Sequence, residues 1–292
     1  LEGVMMRGRQ AMAVAVRAPD GRIALHAESL GGLYTGPAAR IPFVRGLLGL
    51  WDALGLGWKS LSFASRIAAE SEPREGQAGE RASGPDWISY AMLAVALVVG
   101  IGLFSAAPTA VAYWLETTLG TPFWITATFE GVIQIALLIG YLSLIGRLAD
   151  VQRMFAYHGA EHQTIHAFEA GAELTPESVT RFPLEHPRCG TAFLLIVALI
   201  SIVLFTAVGP LPLPERMASR LLLIPIVAGI AFEYQRLTAR FFGNPLVRLL
   251  AWPGLALQRL TTRRPDAHML EVAITAFNEM RRRERLPSQV VG

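Results

Sequence analysis

The sequence predicts a mainly α membrane protein with about four transmembrane helices, a small N-terminal β-hairpin and helical segments outside the bilayer. Three observations carry that prediction. Of the 292 residues 52% are hydrophobic and only 17% are charged, with a mean hydropathy of +0.40, too apolar for an ordinary water-soluble domain of this size. Long uncharged runs recur at lengths that match a hydrocarbon core of about 30 Å. Lys and Arg gather in some of the connecting segments and avoid others.

The elements follow in order. Met12, Val14 and Val16 alternate with alanines, Ala18-Pro19-Asp20-Gly21 supplies turn chemistry, and Ile23 and Leu25 resume the alternation, which predicts a short hairpin. Ile41 to Phe63 is apolar but carries Arg45, Asp52 and Lys59, so a helix lying in the membrane interface is expected rather than a span. Glu70 to Asp86 is polar and bears Gly and Pro, the composition of a linker. Trp87 to Leu115 has no charge and forms the first expected span. Phe123 to Ile145 is the second and Thr191 to Val208 the third, and Leu221 to Phe232 opens a fourth that must run into Glu233-Tyr234-Gln235 to be long enough. In the tail, Pro265-Asp266 reads as a helix start, and Met269, Val272, Ala273, Ala276, Phe277 and Met280 share one face before the basic run Arg281 to Arg283. That helix is expected to pack on the hairpin or on the middle loop. The organisation is therefore 1–86 as hairpin, interfacial helix and linker, 87–146 and 191–236 as two pairs of spans, 147–190 as a loop between them, and 237–292 as the tail.

The short loop from Glu116 to Pro122 has no Lys or Arg, whereas the segment before the first span, the middle loop and the tail are Arg-bearing. Both termini and the middle loop are accordingly expected inside, in a multi-pass protein of a bacterial cytoplasmic (inner) membrane. Arg216 and Arg220 lie on the other side and count against this. The net charge of +3 is read as meeting anionic lipid, with the bilayer as a partner and no nucleic acid, since no basic stripe with interleaved aromatics occurs. The chain opens at Leu1 without a signal pattern, so the N-terminal region is expected to stay unexported, on a chain trimmed of its initiator Met. Cys189 is the single cysteine, which excludes an intramolecular disulfide and leaves a thiol.

Chemistry concentrates in the middle loop. It holds four of the six histidines, in the stretches His158-Gly159-Ala160-Glu161-His162-Gln163-Thr164-Ile165-His166 and Glu185-His186-Pro187-Arg188-Cys189-Gly190. On a helix His158 and His162 stand one turn apart on one face and reach a single ion, and H-x-x-E-H is the inverted zincin order, with Glu161 as the acid that activates water. His186 and Cys189 add a nitrogen and a soft sulfur, completing a candidate four-ligand set for a divalent metal, by ligand type zinc. His166 is a further turn along, as a ligand, a supporting residue or an exposed one; Glu169 reads as a solvated acid. Glu233, at the base of the fourth span, either joins the site or pairs with Arg236 one turn below. Glu130 lies towards the opposite face, too far for this site.

Together with Glu2-Gly3-Val4-Met5-Met6-Arg7, Phe232-Glu233-Tyr234-Gln235-Arg236, Leu257-Gln258-Arg259-Leu260-Thr261-Thr262, Pro265-Asp266 and Glu271-Val272-Ala273-Ile274, these motifs resemble the YqhQ-like bacterial membrane proteins, a family described as predicted metal-dependent enzymes of unknown function. The resemblance implies roles for Glu2, His158, Glu161, His162, His186, Arg188, Cys189 and Glu233. It assigns none to His166 or His268.

Three functions are weighed. In the first, a membrane-embedded zinc hydrolase, His158 and His162 with His186, Cys189 or Glu233 hold the ion, and Glu161 deprotonates water beside a peptide or lipid-linked substrate at the cytosolic membrane face. In the second, a non-enzymatic membrane-biogenesis or scaffold factor, the metal only staples the loop and the protein serves a membrane-protein partner. A transporter is the least favoured. An open coordination position separates the first from the second.

Overall fold

The computed structural model describes residues 2–31, 36, 41–70 and 86–285; the expected linker between Glu70 and Asp86 lies outside the described residues. The N-terminal region is a three-stranded antiparallel sheet rather than a hairpin, ordered β1 (Gly3–Arg7), β2 (Ala11–Arg17), β3 (Ile23–Ser29). The added strand β1 alternates in its own right, with Val4 and Met6 buried. The central strand β2 explains the Ala/Val alternation, because it is covered on both faces. Ala13 and Ala15 face the C-terminal helix, where small side chains allow close approach, while Met12, Val14 and Val16 pack on the first helix.

That first helix, α1 (Val44–Glu70), is 27 residues long and is not one of the four helices suited to crossing a membrane. The charges that break its apolar pattern between Val44 and Phe63 have partners. Buried Asp52 pairs with Arg7 of β1, and Lys59 Nζ lies 2.8 Å from Glu28 of β3. Leu47, Trp51, Leu54 and Leu61 remain exposed along one side, the stripe expected of an interfacial helix.

Four helices among the described residues are long and apolar enough to span a bilayer. The first crossing is interrupted rather than continuous. Helix α2 (Asp86–Ile101) passes through a π-helical turn (Gly102–Ala106) into α3 (Ala107–Leu119). The turn ends two residues before Pro108, which has no N–H to donate back along the helix, and a shift of hydrogen-bond register is the usual accommodation. The helix also runs past the expected end at Leu115, carrying Glu116 with it, and closes at Gly120, whose φ of 64° suits glycine. Helix α4 (Phe123–Ile145) matches its expected limits. After it come α5 (Ala149–Glu169), the single turn α6 (Pro176–Val179) and α7 (Gly190–Val208).

The fourth span is α8 (Leu213–Arg240), 28 residues long with Pro225 inside, so the expected start at Leu221 is eight residues late. The reason is electrostatic. Arg216 and Arg220, read from sequence as loop charges, are buried within α8. Arg216 reaches Glu116 at 2.7 Å and Glu130 at 3.2 Å, and both nitrogens of Arg220 that face Glu130 lie 3.0 Å from it. Thr109 adds a hydrogen bond to Glu130 at 2.8 Å. Charges inside a bilayer are tolerated when paired in this way, and the two arginines no longer count as loop charges.

Helix α9 (Pro245–Thr261) was not expected. It presents Leu246, Leu249, Leu250 and Trp252 outward and packs its other side on α7 and α8, so it too has the pattern of a helix at the membrane surface. The tail helix α10 (Ala267–Arg285) buries Met269, Val272, Ala273, Ala276, Phe277 and Met280 against β1, β2 and α5, serving both surfaces considered from sequence. The sheet, α1, α5 and α10 thus form an extramembrane lobe on the α4 and α7 ends of the spans.

Candidate metal centre

Helix α5 delivers His158, His162, His166 and Glu169 along one face, at steps of four, four and three residues. The segment from Thr180 to Cys189 lies across that face, held by its backbone. Gln163 donates to the carbonyls of Thr180 and Phe182 at 3.1 and 2.7 Å. Gln258 of α9 accepts from His186 N–H at 2.8 Å and donates to the His186 carbonyl at 2.9 Å. Gln235 of α8 donates to the Cys189 carbonyl at 2.6 Å. The loop that carries His186 and Cys189 is therefore positioned by three glutamines from three helices.

The imidazoles are oriented in the same manner. His158 Nδ1 donates to Thr261 O at 2.8 Å, and His162 Nδ1 to Leu184 O at 2.5 Å. Each ring then presents an Nε2 lone pair, the arrangement in which a backbone carbonyl fixes the tautomer of a metal-ligating histidine. Gly159 makes the first contact accessible, since a Cβ there would fall 2.2 Å from Arg263 O and push away the strand of chain that brings Thr261. Cys189 caps α7, with Sγ 3.0 Å from Thr191 Oγ1 and 3.3 Å from His158 Nε2. Burial raises the Cys189 thiol, but the adjacent His162 and the hydrogen bonds from Thr191 outweigh it and hold the pKa below its ordinary value.

Donor atoms of His158, His162 and Cys189 lie within 4.8 Å of one another, and those of His166, Glu169 and His186 form a second such group. The ring centroids run on between them, 4.3 Å from His158 to His162, 5.7 Å from His162 to His186 and 4.7 Å from His186 to His166. The single four-ligand set expected from sequence is thus divided, with His186 in the second group. His166, for which a ligand role was one of three expectations, and Glu169, expected as a solvated acid, enter beside it; their spacing from His162 was the available signal. His186 is buried, and burial, with the neighbouring His166, His162 and Arg188, pushes its pKa down to about 3.

Glu161 flanks the first group without joining it. Burial raises its carboxyl above the usual range, offset in part by His158, and among the described residues no hydrogen bond or ion pair engages it. Glu233 belongs to neither group. It sits against Arg45 of α1, with Nε at 2.6 Å, and accepts Phe43 N–H at 3.2 Å, so its partner is Arg45 and not the expected Arg236. Glu2 is likewise elsewhere, 2.5 Å from Arg153 and 3.5 Å from the Tyr157 hydroxyl, in a separate polar cavity of about 310 Å³ with Arg17 and Asp266. Arg188 is exposed and pairs with Glu169 at 3.0 Å.

A groove of about 390 Å³ opens between α7, α8 and α9. Leu195, Leu199, Ile200 and Val203 line its apolar length, and Gln235 and Gln258 stand at its polar end, the same two side chains that hold the backbone of Cys189 and His186.

No solved structure matches this chain. The chain is 32% identical to the Bacillus subtilis (strain 168) uncharacterized protein YqhQ, over 99% of this chain and 92% of that one. A family model described as protein of unknown function (DUF1385) matches residues 41–283, from the start of α1 through α10. The chain therefore belongs to the DUF1385 family, with YqhQ among its relatives.

Proposed function

We propose that the protein is a membrane-embedded, metal-dependent hydrolase whose ion is held by His158, His162 and Cys189. One observation carries this reading: both imidazoles have Nδ1 committed to backbone carbonyls, so two Nε2 lone pairs are left beside the Cys189 thiol, with one donor atom of each of the three residues within 4.8 Å of the others. Two nitrogens and a sulfur suit zinc, and three protein donors leave a coordination position open, the pattern of catalytic rather than structural sites. A zinc ion there supplies a Lewis-acid centre for a carbonyl or phosphoryl oxygen.

Glu161 is the proton carrier. Its raised pKa places it closer to neutrality than an ordinary glutamate, and a carboxylate with no ion pair among the described residues is available to take a proton from attacking water and return it to the leaving group. The three glutamines hold the loop against α5, keeping Cys189 beside His158 while substrate enters. The apolar groove favours a lipid-linked substrate over a peptide, because it leads from the membrane-spanning part of α7 to the residues that support the site. Arg153, Arg181, Arg188 and the arginines of the tail support placing the lobe in the cytosol, now that Arg216 and Arg220 are accounted for by burial.

The test is zinc-loaded protein in nanodiscs made with bacterial phospholipid extract, the lipids being followed by mass spectrometry. Hydrolysed species that accumulate with the native chain and disappear in Glu161→Gln, with the metal retained, support the reading. The scaffold reading draws on the backbone pinning of the loop. It predicts no turnover and no effect of Glu161→Gln, and that result would reject the hydrolase.

A further inference from the structure

The second donor group is not needed by the first. His186 is 3% exposed and its Nε2 has no hydrogen-bond partner. The nearest acidic atom is Glu169 Oε2 at 3.6 Å, beyond hydrogen-bond range. A buried polar atom left so requires an explanation, and the surrounding groups supply one. His166 directs Nε2 to the carbonyl of Glu185 at 2.9 Å, leaving the Nδ1 lone pair. Glu169 gives Oε1 to Arg188 at 3.0 Å, leaving Oε2. One donor atom from each of His166, Glu169 and His186 lies within 4.8 Å of the others.

We propose that His166, Glu169 and His186 bind a second divalent cation, making the site a two-ion centre. The inference takes its catalytic meaning from the hydrolase reading but rests on its own donors. His186 Nδ1 receives Arg188 N–H at 3.3 Å, a long contact that is given up when an ion at Nε2 moves the ring proton to Nδ1. A His/His/carboxylate set is harder than the His/His/Cys set beside it, so the two positions differ in metal preference. Glu169 and Arg188 are solvent-accessible at the rim, and two cations with an arginine select an anionic, phosphate-bearing group on the substrate over a neutral peptide bond.

The experiment uses the full chain in detergent, metal-stripped and then saturated with Zn²⁺ in one sample and with Co²⁺ in another, freed of excess ion by desalting, and measured by elemental analysis and visible spectroscopy. The expected result is two ions per chain. Glu169→Gln, alone and with His166→Ala, should lower this to one while keeping the thiolate-to-cobalt charge-transfer band that reports Cys189. The pair His158→Ala and His162→Ala should abolish the band and leave one ion. One ion per chain in the native protein, unaffected by Glu169→Gln, overturns the second site. So does a native count of two that Glu169→Gln leaves unchanged. A single ion without the thiolate band that is lost in Glu169→Gln supports the second site and overturns the first, so the two readings fail separately. Because Glu169 lies at the surface, its variant is expected to fold, and a native elution profile verifies this.

Discussion

The Sγ of Cys189 lies 3.3 Å from Nε2 of His158, although 31 residues separate them in the chain. One stands at the N-cap of α7, the other in the middle of α5. Replacing Cys189 by Ser preserves the cap, since Ser is a favoured N-cap residue, while removing the soft ligand. Cys189→Ser should keep its thermal midpoint but bind zinc at least about tenfold more weakly, because even partners one step removed from a metal are worth that much. Competition with a chromophoric chelator measures it.

Gln258 is fully buried and bonds both backbone groups of His186. Gln258→Leu leaves a buried N–H and a buried C=O unpaired, at about 1–3 kcal/mol each. A lowered melting temperature is expected, with faster loss of metal to chelator. An unchanged midpoint would show that the glutamine is not the loop's anchor.

In the far half of the spans, Glu130 holds Arg220 and shares Arg216 with Glu116. Glu130→Gln strands buried cations and should destabilise by about 3–5 kcal/mol. Adding Arg220→Met should recover part of the loss, since an apolar pair replaces an ion pair more cheaply than a lone charge is tolerated. Unfolding of the single and double variants in mixed micelles tests the coupling.

The pH dependence of the metal-free lobe follows from His186. Its pKa is about 3 when folded against roughly 6.5 when unfolded, so between these values the unfolded chain binds more protons. Stability is therefore full above about pH 6.5 and falls as the pH drops towards 3. In chelator-treated protein, His186→Asn should flatten the decline of the melting temperature between pH 6.5 and 4. An equal slope in both proteins would remove His186 as its source.

Much of this architecture is written in local pattern. The apolar runs gave the spans, though not the start of the fourth, and the shared face of Met269, Val272, Phe277 and Met280 gave α10 because burial on one side imposes helical spacing. The first strand also alternates, but five residues ending in Arg7 are too few to separate it from a loop. What sequence concealed was pairing between distant charges. Arg216 and Arg220 look like loop residues until Glu130 is seen beside them, and Glu233 looks like a ligand until Arg45 is. The donors on α5 were readable from helical geometry, whereas their division into two groups depends on where the loop sets His186 and Cys189, and no spacing encodes that.

The central claim is that His158 and His162 bind metal together with Cys189. Elemental analysis of the purified native chain beside the double variant His158→Ala, His162→Ala tests it most directly. The account predicts bound zinc in the native protein, and in the variant one ion fewer per chain with no thiolate-to-cobalt band. The same metal content and the same band in both proteins, or no metal in either, would contradict it.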